Sequence, residues 1–365
     1  MKSHVYYIER RGSDLRKGKS SPTMVDVARE AGVALGTVSR VVNGQPVGSE
    51  YRKKVLSAIH ALGYQYNISG RNLRTDQTNI VAMIIPNVIN PFFAALVNYI
   101  DLELGKRNKR IALCLTEYKP EKETDMIQLV LQNRVDGIIA LTYNPDLEIP
   151  EDVPFVTIDR FFSVSVPCIS SDNFGGGWLA ANKLAELGAT RLAFLQIGSP
   201  LTNEPQKRKE GFVSACVKLG IPFEVKVLQD GDPLSEFEQF LSSHIENGKL
   251  AFDGLFFGTD SLAWQMTQTL RRRGIRIPED VQVIGFDGIR MFGNQSYFVS
   301  TIVQPVQGIA EACVSTLLSS HLSAVPSLIC LPVQYAYGGT TREEPPAEEE
   351  ADRVVLPGVI GKTEE

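Results

Sequence analysis

Arg40 is the residue of this chain best equipped to read a chemical pattern. It lies in LGTVSRVV, residues 35–42, where Val38, Val41 and Val42 recur at i, i+3 and i+4 and so share one helical face. The valines turn inward, leaving Thr37, Ser39 and Arg40 facing out. A guanidinium presented this way can donate two parallel hydrogen bonds to the O6 and N7 edge of guanine, the commonest specific contact in a major groove. Ser39 and Asn43 are placed to reach a base or a phosphate, and Thr37 to reach a phosphate. The same pattern also fits the wet side of an ordinary small helical bundle, so the flanking elements must decide.

Those elements form an ordered series. Thr23 precedes Asp26 by three residues, an N-cap with an acceptor that can reach back, and predicts a helix start. Val27, Ala28 and Ala31 make its apolar face, and Gly32 ends it where a left-handed residue is easiest. After the turn Gly32-Val33-Ala34 comes the segment with Arg40, which Asn43-Gly44 stops. A third helix over 49–62 stacks Val55, Ile59 and Leu62 while Arg52, Lys53 and Lys54 stay wet. Two short helices joined by a glycine turn and braced by a third form a helix-turn-helix unit. DVAREAGV, then TVSRVVNG, then LGY and an asparagine make this stretch closely similar to the lactose-repressor/galactose-repressor (LacI/GalR) family of bacterial transcription regulators. The resemblance adds Thr23 and Tyr51 to the DNA-facing set. It also places Leu35 and Gly36 where family members differ and tune operator choice. Gly36 can donate nothing, so readout there falls to Leu35 and a thymine methyl, which predicts a relaxed or shifted base preference.

Composition bounds the rest. At 365 residues, 43% hydrophobic and 22% charged, the chain has room for two or three globular domains. No stretch approaches the ~20 apolar residues of a membrane helix, and the first 22 residues lack a signal-peptide apolar core. A cytoplasmic protein, with no membrane partner, is expected. Residues 1–75 hold 13 Lys and Arg against five Asp and Glu, so the net −5 of the chain leaves −13 for the remainder. A basic module on an acidic body fits local attraction to phosphates. Cys114, Cys168, Cys216, Cys313 and Cys330 are odd in number and far apart, and read as buried free thiols. The four histidines are scattered, metal and nucleophile signatures are absent, and SDNFGGG lacks the GxGxxG spacing of a dinucleotide site. Neither an enzyme nor a cofactor is expected. Residues 342–365, with EEPPAEEE, read as a disordered acidic tail. Residues 1–22 read as a basic disordered arm or as a start assigned upstream of Met24.

From Ile80 onward, short apolar runs alternate with amphipathic helices. The runs fall at 80–85, 111–115, 137–141, 155–158, 192–197, 254–257 and 281–286. The helices fall at 92–106, 121–132, 176–187, 207–219, 234–246 and 262–273. Strands buried on both faces and separated by helices predict parallel sheets, here in two halves. IPNVINPFF, SDNFGGGWLA, GTDSLA and RRRGIRIPEDVQVIGFDG resemble the family's effector domain, which has the fold of periplasmic sugar-binding proteins. The fold class that follows is an all-α headpiece, residues 23–67, plus an α/β body of two parallel-sheet lobes, residues 79–341.

Further expectations come from that resemblance. The chain should cross between lobes near Asp172, Val303 and 321–324. An effector, a sugar or its derivative, should lie between the lobes against Asn90, Phe92, Phe93, Arg208, Thr259, Asp260 and Asp287. An arginine and an aspartate at strand ends suit a hydroxyl-rich ligand, one donating bidentately and the other accepting. Asp260 has a rival role as a helix cap. Residues 68–78 resemble the family hinge, which becomes helical on operator DNA and pairs with its dimer mate to push a leucine into the minor groove. Leu73 holds that position, flanked by Arg71 and Arg74. Gly70, costing about 1 kcal/mol of helix propensity, and Tyr66 in place of the usual proline depart from the family pattern. The implied function is a homodimeric regulator, a repressor, of a palindromic double-stranded operator, switched by the effector. Two other readings share parts of this pattern: control by a phosphocarrier-type protein co-regulator, and a transporter's solute-binding protein.

Overall fold

The computed structural model describes residues 22–42, 44–64, 78–144, 146–162, 165–199, 203–229, 231–290, 296–319 and 325–342. Asn43, the expected hinge up to residue 77 with Leu73, the arm to residue 21 and the tail from residue 343 lie outside the described residues. The chain divides into two compact units between Asp76 and Gln77.

The first unit has three helices, α1 (Met24–Ala31), α2 (Leu35–Val42) and α3 (Ser49–Leu62). Thr23 Oγ1 accepts from the Asp26 N–H at 3.3 Å, and Asp26 Oδ2 accepts from the Thr23 N–H at 2.8 Å, closing a capping box. The Thr23 hydroxyl, donating to Asp26 Oδ2 at 2.7 Å, and then the Thr23 N–H hold the Asp26 carboxyl below its usual range. Gly32, at φ 61°, makes the left-handed turn out of α1. Val27, Val38 and Val55 are fully buried and meet as a three-helix core with Ala28, Val41 and Ala58.

The second unit is two lobes of the same architecture. In the first, β1 (Ile80–Ile85), α4 (Pro91–Gly105), β2 (Arg110–Leu115), α5 (Pro120–Gln132), β3 (Gly137–Ala140), β4 (Phe155–Ile158) and β5 (Cys168–Ser171) follow in order. In the second come α6 (Asn173–Glu186), β6 (Leu192–Ile197), α7 (Lys207–Leu219), β7 (Phe223–Leu228) and α8 (Ser235–Ser243). A short ribbon, β8 (Ile245–Glu246) with β9 (Lys249–Leu250), leads to β10 (Gly254–Phe257), α9 (Asp260–Arg272), β11 (Gln282–Asp287) and β12 (Ser300–Val303). The chain ends with α10 (Val306–Leu317), β13 (Leu328–Leu331) and β14 (Gln334–Ala336). The sheets run β13-β5-β4-β3-β1-β2 and β14-β12-β11-β10-β6-β7. Within these two sheets all strand pairings are parallel except β12 with β14, an antiparallel edge; the β8–β9 ribbon is antiparallel as well.

Three corrections to the sequence reading follow. The third lobe crossing is not at 321–324: α10 packs in the first lobe and β13 pairs with β5, so the chain crosses between β13 and β14, at Pro332–Val333. Residues 321–324 themselves lie outside the described residues. The other crossings lie at Asp172 and at Gln304–Pro305. Cys330 is exposed on edge strand β13, whereas the other four thiols are buried. The strands β5, β7 and β12 were not visible as apolar runs, since CISS, FEVKVL and STIV mix polar and apolar residues.

The glycines of SDNFGGG have a packing role. A Cβ on Gly177 would stand 1.9 Å from the Arg208 carbonyl oxygen, and one on Gly211 would stand 2.0 Å from that of Phe174. Helices α6 and α7 therefore touch backbone to backbone, each through the other's glycine. Gly177→Ala should force them apart and cost about 1–3 kcal/mol in urea unfolding of the full chain. An unchanged midpoint would contradict that packing role.

Candidate functional site

Strand ends build the site. The cavity between the lobes measures about 420 Å³, within the ~300–1,000 Å³ range of small-molecule sites. Its walls come from residues just beyond the carboxyl ends of β1, β2, β3 and β4 in one lobe and β6, β10 and β11 in the other. Parallel strands all end on the same edge, so one arrangement delivers every lining residue.

Arg208 is the centre of the polar wall. It opens α7 almost fully buried, and its Nε donates to Asn173 Oδ1 at 2.7 Å. One terminal nitrogen donates to the Gly258 carbonyl at 2.5 Å and stands 4.0 Å from Asp287 Oδ1. The guanidinium carbon lies 3.6 Å over the Phe286 ring. Burial pulls its pKa below the usual arginine value, opposed by Asp287 and then Asp159. Asp287 ends β11 at φ 127°, a conformation L-residues rarely adopt, and its Oδ1 accepts from Gln304 Nε2 at 2.8 Å. Asp159 occupies the equivalent position at the end of β4, also with positive φ, and accepts from Ser170 Oγ at 2.6 Å. The two lobes thus contribute matching carboxyls to one cavity, and both favour the charged guanidinium.

Aromatic groups face this polar wall. Phe92 and Phe93 both line the cavity and both pack into the first lobe's core, edge to face with centroids 5.9 Å apart. Asn90, also a lining residue, caps their helix by accepting from the Phe92 N–H at 3.0 Å. Thr259 lines the cavity and is the N-cap of α9, accepting from the Leu262 N–H at 3.3 Å. Six of the seven expected effector residues therefore meet at one cavity. Asp260 does not line it: its Oδ2 accepts from the Ile289 N–H at 2.7 Å, and its Oδ1 lies where a Cβ on Gly285 would come within 2.2 Å. It neither reaches the cavity nor caps the helix, because the preceding threonine already does so.

The sequence reading missed Tyr118, Tyr143, Asp159, Arg160, Gln196 and Gln304, all lining residues. Tyr118 and Tyr143 meet edge to face at 4.9 Å. Arg160 donates to the Asn144 carbonyl and lies 4.2 Å over Phe162. Each except Gln304 follows or ends a recognised strand, so position after a strand end was the signal that could have found it.

In the first unit, Leu35, Gly36, Arg40 and Tyr51 are exposed, while Thr37 and Ser39 are half-buried beside them on α2. Thr23 is exposed at the start of α1. Open space surrounds the position where Gly36 would carry a Cβ. Among the described residues, no helix is long and apolar enough to cross a membrane.

A three-helix DNA-reading unit on a two-lobed, periplasmic-binding-protein fold defines a ligand-responsive transcription regulator. Residues 23–67 match the model for bacterial regulatory proteins of the lacI family, and residues 181–341 that for a periplasmic binding protein-like domain. The sucrose operon repressor of Pediococcus pentosaceus is 32% identical over 332 residues, covering 87% of this chain and 99% of that one. The ribose operon repressor of Bacillus subtilis (strain 168) is 30% identical, covering 88% and 99%. Among solved structures, a LacI-family regulator from Silicibacter pomeroyi is 25% identical with a TM-score of 0.69, covering 87% and 99%. The chain belongs to the lacI family of bacterial regulatory proteins, and its relatives carry the names of repressors rather than enzymes.

Burial makes a pH signature. It raises the carboxyls of both Asp260 and Asp287, and the charge of Asp287 further opposes ionisation of Asp260. Arg208 and Gln304 draw Asp287 back toward its charged form, so Asp260 is the one that keeps its proton. A raised folded-state pKa favours folding below the ordinary carboxyl value of 3.8 and loses that benefit as pH rises through the folded value. Asp260→Asn, which has no proton to lose, should match wild-type stability near pH 4 and exceed it increasingly toward about pH 8. A constant difference across that range would contradict the assignment.

Proposed function

We propose that this chain is a repressor that binds a palindromic operator as a homodimer and is switched by a sugar or sugar derivative in the inter-lobe cleft. The domains are a headpiece at 23–67, a hinge at 68–78, a body at 79–341, and flanking segments at 1–22 and 342–365. The observation carrying the effector assignment is Arg208 held beside Asp287 in a cavity with an aromatic opposite wall. Such a wall pairs with the apolar face of a sugar ring, while the guanidinium and carboxyls engage its hydroxyls. The names of the sucrose and ribose operon repressors support a sugar, as does a neighbour solved with D-xylulofuranose, 25% identical at a TM-score of 0.62. Leu102, Leu113 and Leu115 support the dimer: they leave apolar surface exposed on α4 and edge strand β2.

In the headpiece, Arg40 reads a guanine edge. Thr37, Ser39, Asn43, Tyr51 and Thr23 hold the backbone and register, and Leu35 meets a base methyl. Leu73 wedges the minor groove. The regulator works in the cytoplasm, with the chromosome.

Footprinting on the chain's own upstream DNA, with and without sucrose, ribose, glucose and their phosphates, tests this reading. A symmetric protected site that responds to one sugar is the expected result; no protected site would overturn it. Arg208→Ala should abolish the sugar response. Arg40→Ala should weaken operator binding by about 1–3 kcal/mol per half-site and relax preference at one base pair. Gly36→Gln, which has room for its side chain, should alter base preference at the neighbouring position without loss of folding.

A further inference from the structure

Gln304 is the buried residue where the cleft and the lobe crossings meet. It lies at the second crossing, directly after β12, lines the cavity and is almost fully enclosed. Its Nε2 donates to Asp287 Oδ1 at 2.8 Å, and its Oε1 accepts from Ser171 Oγ at 2.8 Å. Ser171 is the last residue of β5, immediately before the first crossing at Asp172. Just past that crossing, Asn173 accepts from Arg208 through Oδ1 and donates through Nδ2 to Ser170 Oγ at 3.0 Å and the Ser171 carbonyl at 2.9 Å. A ring results: Arg208, Asn173, Ser171, Gln304, Asp287 and back to Arg208. Every member is buried, so each bond lost leaves a polar group unmatched.

We propose that Gln304, through Ser171, is the positioning residue that converts occupancy of the cleft into a change at the crossings, and so into operator affinity. This rests on the reading of the chain as a cleft-controlled repressor. The two groups assigned to the effector, Arg208 and Asp287, are the same groups that bond the crossing segments. An effector drawing on either one must redistribute the ring's bonds, and both crossing segments are in the ring. The Gln304 amide is suited to this task because it donates to the cleft carboxylate and accepts from the other crossing at once. A glutamate or leucine at this position could not do both.

The test needs no effector. Operator affinity of the full chain is measured by fluorescence anisotropy for wild type, Ser171→Ala, Gln304→Leu and the double variant, with the upstream DNA fragment as probe. Thermal unfolding of each is recorded alongside. Neither residue lies in the headpiece, so a role confined to body stability would lower the melting temperature and leave the affinity of the folded protein unchanged. The account expects each single variant to weaken operator binding about fivefold or more, with the double variant no weaker than the weaker single. Should Gln304→Leu fail to fold, Ser171→Ala, which removes only a hydroxyl, still decides. Wild-type affinity in folded Ser171→Ala overturns the inference and leaves the repressor reading intact. A wild-type chain that binds no upstream DNA overturns the reading and the inference with it.

Discussion

A guanidinium taken out of water needs partners for its donors, and Arg208 draws its partners from three different segments. Asn173 comes from the start of α6, Gly258 from the end of β10, Asp287 from the end of β11, and the Phe286 ring covers one face. The cation stays in place only if α7 approaches α6 at backbone distance, which Gly177 and Gly211 permit. It also requires β11 to end in the unusual conformation of Asp287. Packing, backbone geometry and charge therefore converge on one side chain. Because breaking a buried pair costs far more than forming it gains, the second lobe is organised around keeping this arrangement.

Internal symmetry gives the cation its setting. The two sheets share a strand order, with β4 corresponding to β11, so Asp159 and Asp287 are equivalent residues facing one cleft from opposite lobes. Two carboxyls facing one arginine make a site with spare acceptor capacity, which a polyol can use. In the second lobe the edge position falls to β14, entered straight from β13 across the cleft, and that forces its antiparallel direction. The difference between the lobes thus arises from the third crossing.

Much of this was legible in the sequence, for physical reasons. Thr23 with Asp26 and Gly32 marked α1 because capping chemistry is local, and the three valines of α2 marked its face because their spacing is local too. The strands buried on both faces were plain where every residue is apolar, as in IVAMII, and hidden where polar residues intrude, as in STIV. Asp260 illustrates the limit. Next to Thr259 at a strand end, it looked like a cleft residue, but only the fold shows its carboxyl turning to the Ile289 N–H instead. Gln304 was invisible for a related reason: its meaning depends on Ser171, 133 positions away in sequence.

Reciprocal linkage tests the central claim most directly, that the cleft and the DNA-reading unit are two ends of one device. Calorimetry would give the affinity of the full chain for sucrose and ribose, with and without saturating operator DNA, beside operator affinity with and without the same sugars. The account predicts that at least one sugar shifts operator affinity, and that operator shifts that sugar's affinity by the same factor. A sugar that binds the cleft with one affinity whether or not DNA is bound would contradict it.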